Sequence, residues 1–240
     1  MNKITKAMLA SALVGVSGLA QAEVTANVAV VSEYLFRGVG QSNGAAMQGG
    51  LDYKSDSGIY LGTWLSNVDF GGNVETDLYG GYSGEINGVG YDIGGIYYWY
   101  PDAGGDKPGS THKGGGELDY AEISLGLSYG ALSASVAYTV WGESDSKAPF
   151  NEGDLYYHLS GEFPLQQGFS LTAQAGYYKF ADELKDDSES YAHYGLGLAK
   201  DAGNLGAMSV NVEFTDLDEN NGTLNDDGPN IWVGWSKDIE

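Results

Sequence analysis

What most constrains this chain is an alternation of connector lengths between extended, half-apolar segments. Tyr91–Tyr100 (YDIGGIYYWY) shows the unit: it is aromatic and interrupted only by Gly94 and Gly95. It is entered through Asn87-Gly88 and left through a Gly/Asp/Pro loop, Pro101–Gly116. Asn-Gly between two alternating runs signals a tight hairpin, because both positions tolerate positive φ. The same order recurs along the chain: segment, tight turn, segment, long polar loop. Strands of about ten residues, with short turns at one end and long loops at the other, are what a transmembrane β-barrel of the bacterial outer membrane requires.

Period-2 alternation and turn residues place the segments. Val24–Leu35 directs Val28, Val30 and Tyr34 one way and Asn27, Glu33 and Arg37 the other. The loop Gly38–Gly44 leads to Ala45–Lys54, where Met47, Leu51 and Tyr53 oppose Gln48, Asp52 and Lys54. Then come Ile59–Ser66, the loop Asn67–Glu75, and the pair Thr76–Glu85 and Val89–Tyr100. Leu118–Tyr129, Ala131–Trp141, Asp154–Glu162, Phe169–Phe180, Tyr191–Lys200, Gly206–Asp216 and Asn230–Lys237 complete the set. The expected fold is all-β: an antiparallel transmembrane barrel of about twelve strands, an even number that leaves both termini at the short-turn, periplasmic end. A β-sandwich also has short strands but no reason for strict long–short alternation. Aromatic residues at segment ends (Tyr34, Phe36, Tyr53, Tyr97–Tyr100, Tyr129, Trp141, Tyr177, Trp235) are expected to form interfacial girdles. The last aromatic, Trp235, stands well before Glu240, unlike the terminal aromatic usual in such barrels.

Residues 1–22 read as a cleaved secretory signal. Lys3 and Lys6 precede the apolar run Ala7–Leu19, and Ala20-Gln21-Ala22 offers the small-x-small cleavage pattern. The barrel domain is then 23–240. Losing those two lysines takes the net charge from −22 to −24. So acidic a chain is a poor partner for nucleic acid. It suits cations, and acidic loops bridged to lipopolysaccharide by divalent ions. Cysteine is absent, which excludes disulfides and thiolate metal sites.

Ser32–Tyr60 (SEYLFRGVGQSNGAAMQGGLDYKSDSGIY), its continuation LGTWLSNVDF, and the words TDLYGGYSGE and YDIGGIYYWYP resemble the TorF-type porins, also grouped as the Gcw conserved hypothetical proteins. The likeness is strongest over Val31–Pro101. It implies an outer-membrane barrel of Gram-negative bacteria with a porin role, and brings neither catalytic residues nor a solute.

With the apolar sets turned to lipid, the pore-lining candidates are Glu33, Arg37, Gln48, Asp52, Lys54, Asp77, Glu122, His158, Gln174, His193 and Glu213, with Asp154 at a rim. Acids outnumber bases, so a weak cation preference is expected. Eight-stranded barrels fill with side chains and barrels of 16–18 strands hold open channels; about twelve strands should enclose a narrow passage for small polar solutes. A sealed structural or adhesion barrel is the alternative. Arg37 could bind an anionic solute or close a rim salt bridge with Glu33 or a neighbouring acid. Asp216, Asp218, Asn220 and Asp227 occupy ligand positions of a calcium loop, but the glycine is one place late at Gly222. His158 and Ser160 share a strand face, as in a lipid-acting enzyme. Alternate residues lie about 7 Å apart along a strand, too far for direct proton transfer. His112 is expected to be exposed. No glycine loop precedes a helix to cradle phosphate, so neither a cofactor nor catalysis is expected.

Overall fold

The computed structural model describes residues 23–69, 73–101, 103, 118–142, 150–181, 190–217 and 229–239. The signal segment, His112 and the calcium-loop positions beyond Leu217 lie outside them.

The strands are β1 (Glu23–Val31), β2 (Leu35–Phe36), β3 (Val39–Gly40), β4 (Ala46–Lys54), β5 (Ile59–Asn67), β6 (Val74–Ile86) and β7 (Val89–Trp99). They continue as β8 (Tyr120–Tyr129), β9 (Leu132–Gly142), β10 (Leu155–Pro164), β11 (Phe169–Lys179), β12 (Tyr191–Asp201), β13 (Ala207–Thr215) and β14 (Asn230–Ile239). Twelve of these pair antiparallel with their sequence neighbours, and β1 pairs with both β4 and β14, closing the barrel. Closure gives every strand two partners, so no edge is left to hydrogen-bond lipid. β2 and β3 form a separate two-stranded hairpin.

Pairing puts like faces side by side. Outside, Ile93, Leu125 and Val136 are cross-strand neighbours, as are Leu171, Leu198, Val210 and Val233. Leu125 is 47% exposed and Leu196 52%. A barrel whose outer surface is an apolar band has its interior and exterior reversed relative to a soluble protein, and lipid is the solvent that accepts it. Inside, the same alternation brings Asp, Glu, Ser, Thr, Asn and Tyr together. Two buried aromatic groups sit inside at the long-loop end: Tyr34, Tyr98, Tyr100 and Tyr120 in one, Tyr156, Tyr178 and Tyr191 in the other.

The tight turns carry the predicted chemistry. Asn87 and Gly88 have φ of 53° and 82°, and Gly130 has 60°. The final strand runs through Lys237 to Ile239, where Ile239 pairs with Ala26. Trp235 therefore stands inside the strand rather than at its end.

The first segment departs from expectation. β1 stops at Val31, and residues 32–45 leave the wall. Ser32 is held to Val233 by two bonds of 2.9 Å, after which the chain turns into the lumen as the β2–β3 hairpin. Left-handed φ values of 52° at Arg37 and 82° at Gly38 make its tip. Tyr34 and Phe36 are thus not girdle residues. Once the chain leaves the sheet, period-2 facing no longer applies, and Tyr34 is 3% exposed. The aromatic run 97–100 also divides. Trp99 points outward at 43% exposed, and Tyr98 and Tyr100 are buried inside.

Candidate functional site

The lumen is organised around the inward hairpin, and Arg37 at its tip is the fixed point. Its Nη1 and Nη2 donate to Glu122 Oε1 and Oε2 of β8 at 2.9 and 2.6 Å. Both side chains are almost wholly buried, 5% and 2% exposed. The guanidinium also lies over Tyr156 of β10 (4.1 Å to the ring centroid), Phe36 (4.7 Å) and Tyr178 of β11 (5.2 Å). A planar cation with a two-pronged carboxylate partner and aromatic faces is the arrangement that makes arginine worth burying. The expected partner Glu33 is not the one used. The hairpin carries Arg37 across the lumen to the opposite wall, a placement that neighbouring positions in sequence cannot reveal.

A second attachment lies two strands along the same wall, on β6. Tyr34 Oη donates to Glu75 Oε1, and Tyr100 Oη to Glu75 Oε2, both at 3.0 Å. Tyr98 Oη and Thr139 Oγ1 each donate to Glu122 at 3.4 Å. Asp77, inward on β6 between these carboxylates, is 5% exposed, and its Oδ1 is among the buried oxygens without a hydrogen-bond donor. Just before β10, Asp154 accepts N–H groups from Phe150 (3.1 Å), Asn151 (3.0 Å) and Ala181 (2.9 Å), tying two loops together. Burial raises its pKa, and those three donors act against the rise.

Beyond the hairpin tip runs a polar chain. Tyr156 Oη meets His193 Nε2 at 2.8 Å, and Gln174 Nε2 donates to Glu213 Oε1 at 2.6 Å. His193 Nδ1 is 3.3 Å from the same Oε1 but off the line a hydrogen bond needs. His158 Nε2 lies 3.4 Å from Gln174 Oε1. Two glycines make the chain possible: a Cβ on Gly38 would come within 2.6 Å of His193 Cβ, and one on Gly176 within 2.6 Å of Tyr156 Oη.

Below the hairpin the two halves of the lumen differ. Across β4–β7, tyrosines lie over inward glycines and fill the space. Tyr60 Oη would be 2.5 Å from a Cβ on Gly81 or Gly94, and it donates to Asp92 at 2.9 Å. Tyr79 Oη and Asn27 Nδ2 donate to the two oxygens of Asp52 at 2.5 and 3.1 Å. The wall made by β1 and β11–β14 carries Gly, Ser, Thr and Asn instead, and a cavity of about 900 Å³, counting solvent at its mouth, runs along it. It extends from Glu162, Ser170 and Ser236 at the short-turn end to Glu33, Arg37 and His193 under the hairpin.

Of the sequence candidates, Gln48, Asp52, Lys54, Asp77, Glu122, His158, Gln174, His193 and Glu213 stand at inward positions of their strands. Glu33 and Arg37 belong to the inward loop. Only Glu33, Arg37, Gln48, Gln174, His193 and Glu213 of that set border the cavity. The same interior holds Glu75, Tyr98, Tyr100, Asn211 and Trp232, which the sequence reading does not single out as pore-lining. Strict alternation from Asp77, Glu122 and Glu213 would reach Glu75, Tyr120 and Asn211. Ser160 Oγ pairs with Ser133 Oγ at 2.7 Å, so the His158–Ser160 pair is not assembled.

A model of a bacterial protein family of unknown function, Gcw_chp, matches residues 17–231. The chain belongs to that family. Among curated proteins none matches the sequence. Solved structures do. The KdgM porin is 7% identical with a TM-score of 0.55, covering 90% of this chain and 98% of that one. A membrane protein from a study titled "Unveiling the Mechanism Behind the in-meso Crystallization of Membrane Proteins" is 10% identical with a TM-score of 0.58, covering 90% and 83%. At these identities the likeness speaks to the fold, and the fold of this Gcw_chp member is that of a porin-type barrel.

Proposed function

We propose that this Gcw_chp protein is a passive channel of the Gram-negative outer membrane, exported by residues 1–22 and cut after Ala22. It admits small polar solutes with a weak preference for cations. The cavity along β1 and β11–β14 carries this reading, since it is a stretch of lumen that tyrosines and the hairpin leave unfilled. Glu33, Glu162 and Glu213 border it. Arg37, the one Lys or Arg among its described lining residues, is already neutralised by Glu122. A passage lined by uncompensated carboxylates concentrates cations. The resemblance to TorF-type porins and the porin-type fold point the same way. The clasped hairpin favours a second reading, a barrel held shut and serving a structural role.

Planar-bilayer recording of purified, reconstituted protein separates the two. Discrete current steps with a reversal potential shifted toward the cation in a salt gradient are expected. An anion-shifted potential would remove the cation preference, and silence from folded, inserted protein would favour the shut barrel.

A further inference from the structure

Two glycines on the inward face of β12, Gly195 and Gly197, border a small recess in the cavity wall, with room for a group about the size of one water molecule. A Cβ on Gly195 would stand 2.8 Å from Gln174 Nε2, and one on Gly197 would stand 2.5 Å from both Asn211 Oδ1 and Thr172 Oγ1. The absent side chains are therefore what brings these polar atoms to the edge of an open space. Glu213 borders the same recess, and Trp232 supplies an aromatic side.

The hydrogen bonding around the recess is lopsided. Gln174 and His193 both approach Oε1 of Glu213, which leaves Oε2 for the cavity. Asn211 spends its Nδ2 on Ser209 Oγ at 3.0 Å, leaving Oδ1 as an acceptor. Thr172 spends its hydroxyl hydrogen on the Gly197 carbonyl at 3.3 Å, leaving Oγ1 lone pairs. Gln174 spends an amide hydrogen on Glu213. What borders the recess is thus one carboxylate oxygen, neutral amide and hydroxyl groups, and an indole whose Nε1–H has no partner. Among the described residues no lysine or arginine borders it. A group with several N–H donors and a positive charge satisfies such a set. An anion would find neutral N–H donors but no positive charge to offset the Glu213 carboxylate, and a neutral polyol would leave that carboxylate without a counter-charge.

We infer that this recess binds the ammonium group of a small organic cation whose chain stays in the larger cavity, which makes the cavity a selective path for amines rather than a general cation leak. The inference rests on the channel reading for its meaning in transport, but the recess itself is testable without current.

Putrescine serves as the probe and glycerol as the neutral control. In bilayers, putrescine should interrupt the current of the native channel in a concentration-dependent way. The Glu213→Gln variant should raise the concentration needed by about ten-fold or more, the loss expected when a charge-assisted contact becomes neutral. Gly197→Ala, which fills the recess and keeps the carboxylate, should weaken the block as well. Equal block of native and both variants, or none in a conducting channel, overturns the site and leaves the porin reading standing. If the protein conducts no current, equilibrium dialysis of labelled putrescine against folded protein in detergent decides. Binding lost in both variants upholds the recess and sinks the channel. Binding absent from native protein, or unchanged in the variants, overturns the recess.

Discussion

Arg37→Ala should release the hairpin. In the native lumen the guanidinium is the partner of a carboxylate that is 2% exposed. Removing it leaves Glu122 with two long hydroxyl contacts of 3.4 Å, near Asp77 and Glu75. Breaking one side of a buried pair costs about 3–5 kcal/mol, because the remaining charge is stranded without water. That cost falls only on the state with the hairpin seated, since withdrawal hydrates Glu122. A penalty of this size shifts the ratio of withdrawn to seated hairpin by about 2 to 3.5 powers of ten. The Tyr34–Glu75 contact opposes it with about 1.5–3 kcal/mol, the range for a hydrogen bond to a charged group. Conductance should therefore rise well above the native level, and residues 32–45 should become open to protease, while the barrel itself stays folded. Arg37→Ala combined with Glu122→Ala should restore much of the native conductance, because the stranded charge is gone. Unchanged current and protease resistance in Arg37→Ala would refute the reasoning. So would single-variant effects that simply add in the double variant, which would mean the pair carries no coupling.

Two further outcomes follow from the packing. Gly38→Ala places a methyl against His193 at a φ of 82°; it should unseat the hairpin as Arg37→Ala does, read as higher conductance with little change in barrel melting. Leu125→Arg puts a charge in the outer apolar row with Ile93 and Val136. At mid-strand it should cost about 2–4 kcal/mol of stability in lipid vesicles, measured by denaturant unfolding, and leave selectivity unchanged.

The wall of this barrel was legible because each strand obeys a local rule. Ile123, Leu125 and Leu127 alternate with Glu122, Ser124 and Ser128, and pleating alone sends the two sets to opposite faces. Asn87-Gly88 and Gly130 mark turns for a reason as local, their tolerance of positive φ. The same rule misplaced Tyr34 and Phe36, because it holds only while the chain stays in the sheet. Nothing near Val31 announces that the chain leaves the wall there.

Sequence by itself therefore determined the closed antiparallel barrel, its long-loop and short-turn ends, and an acidic interior, all consequences of periodicity and turn chemistry. Only the tertiary structure decided what the interior does. Arg37 meets Glu122 across 85 positions of sequence, Tyr34 meets Glu75, and the glycines of β12 open a recess that Trp232 also borders. Those pairings depend on the curvature that brings distant strands around one lumen and on a hairpin that crosses it. Period-2 alternation tells a residue which side it faces, and closure of the barrel tells it whom it meets.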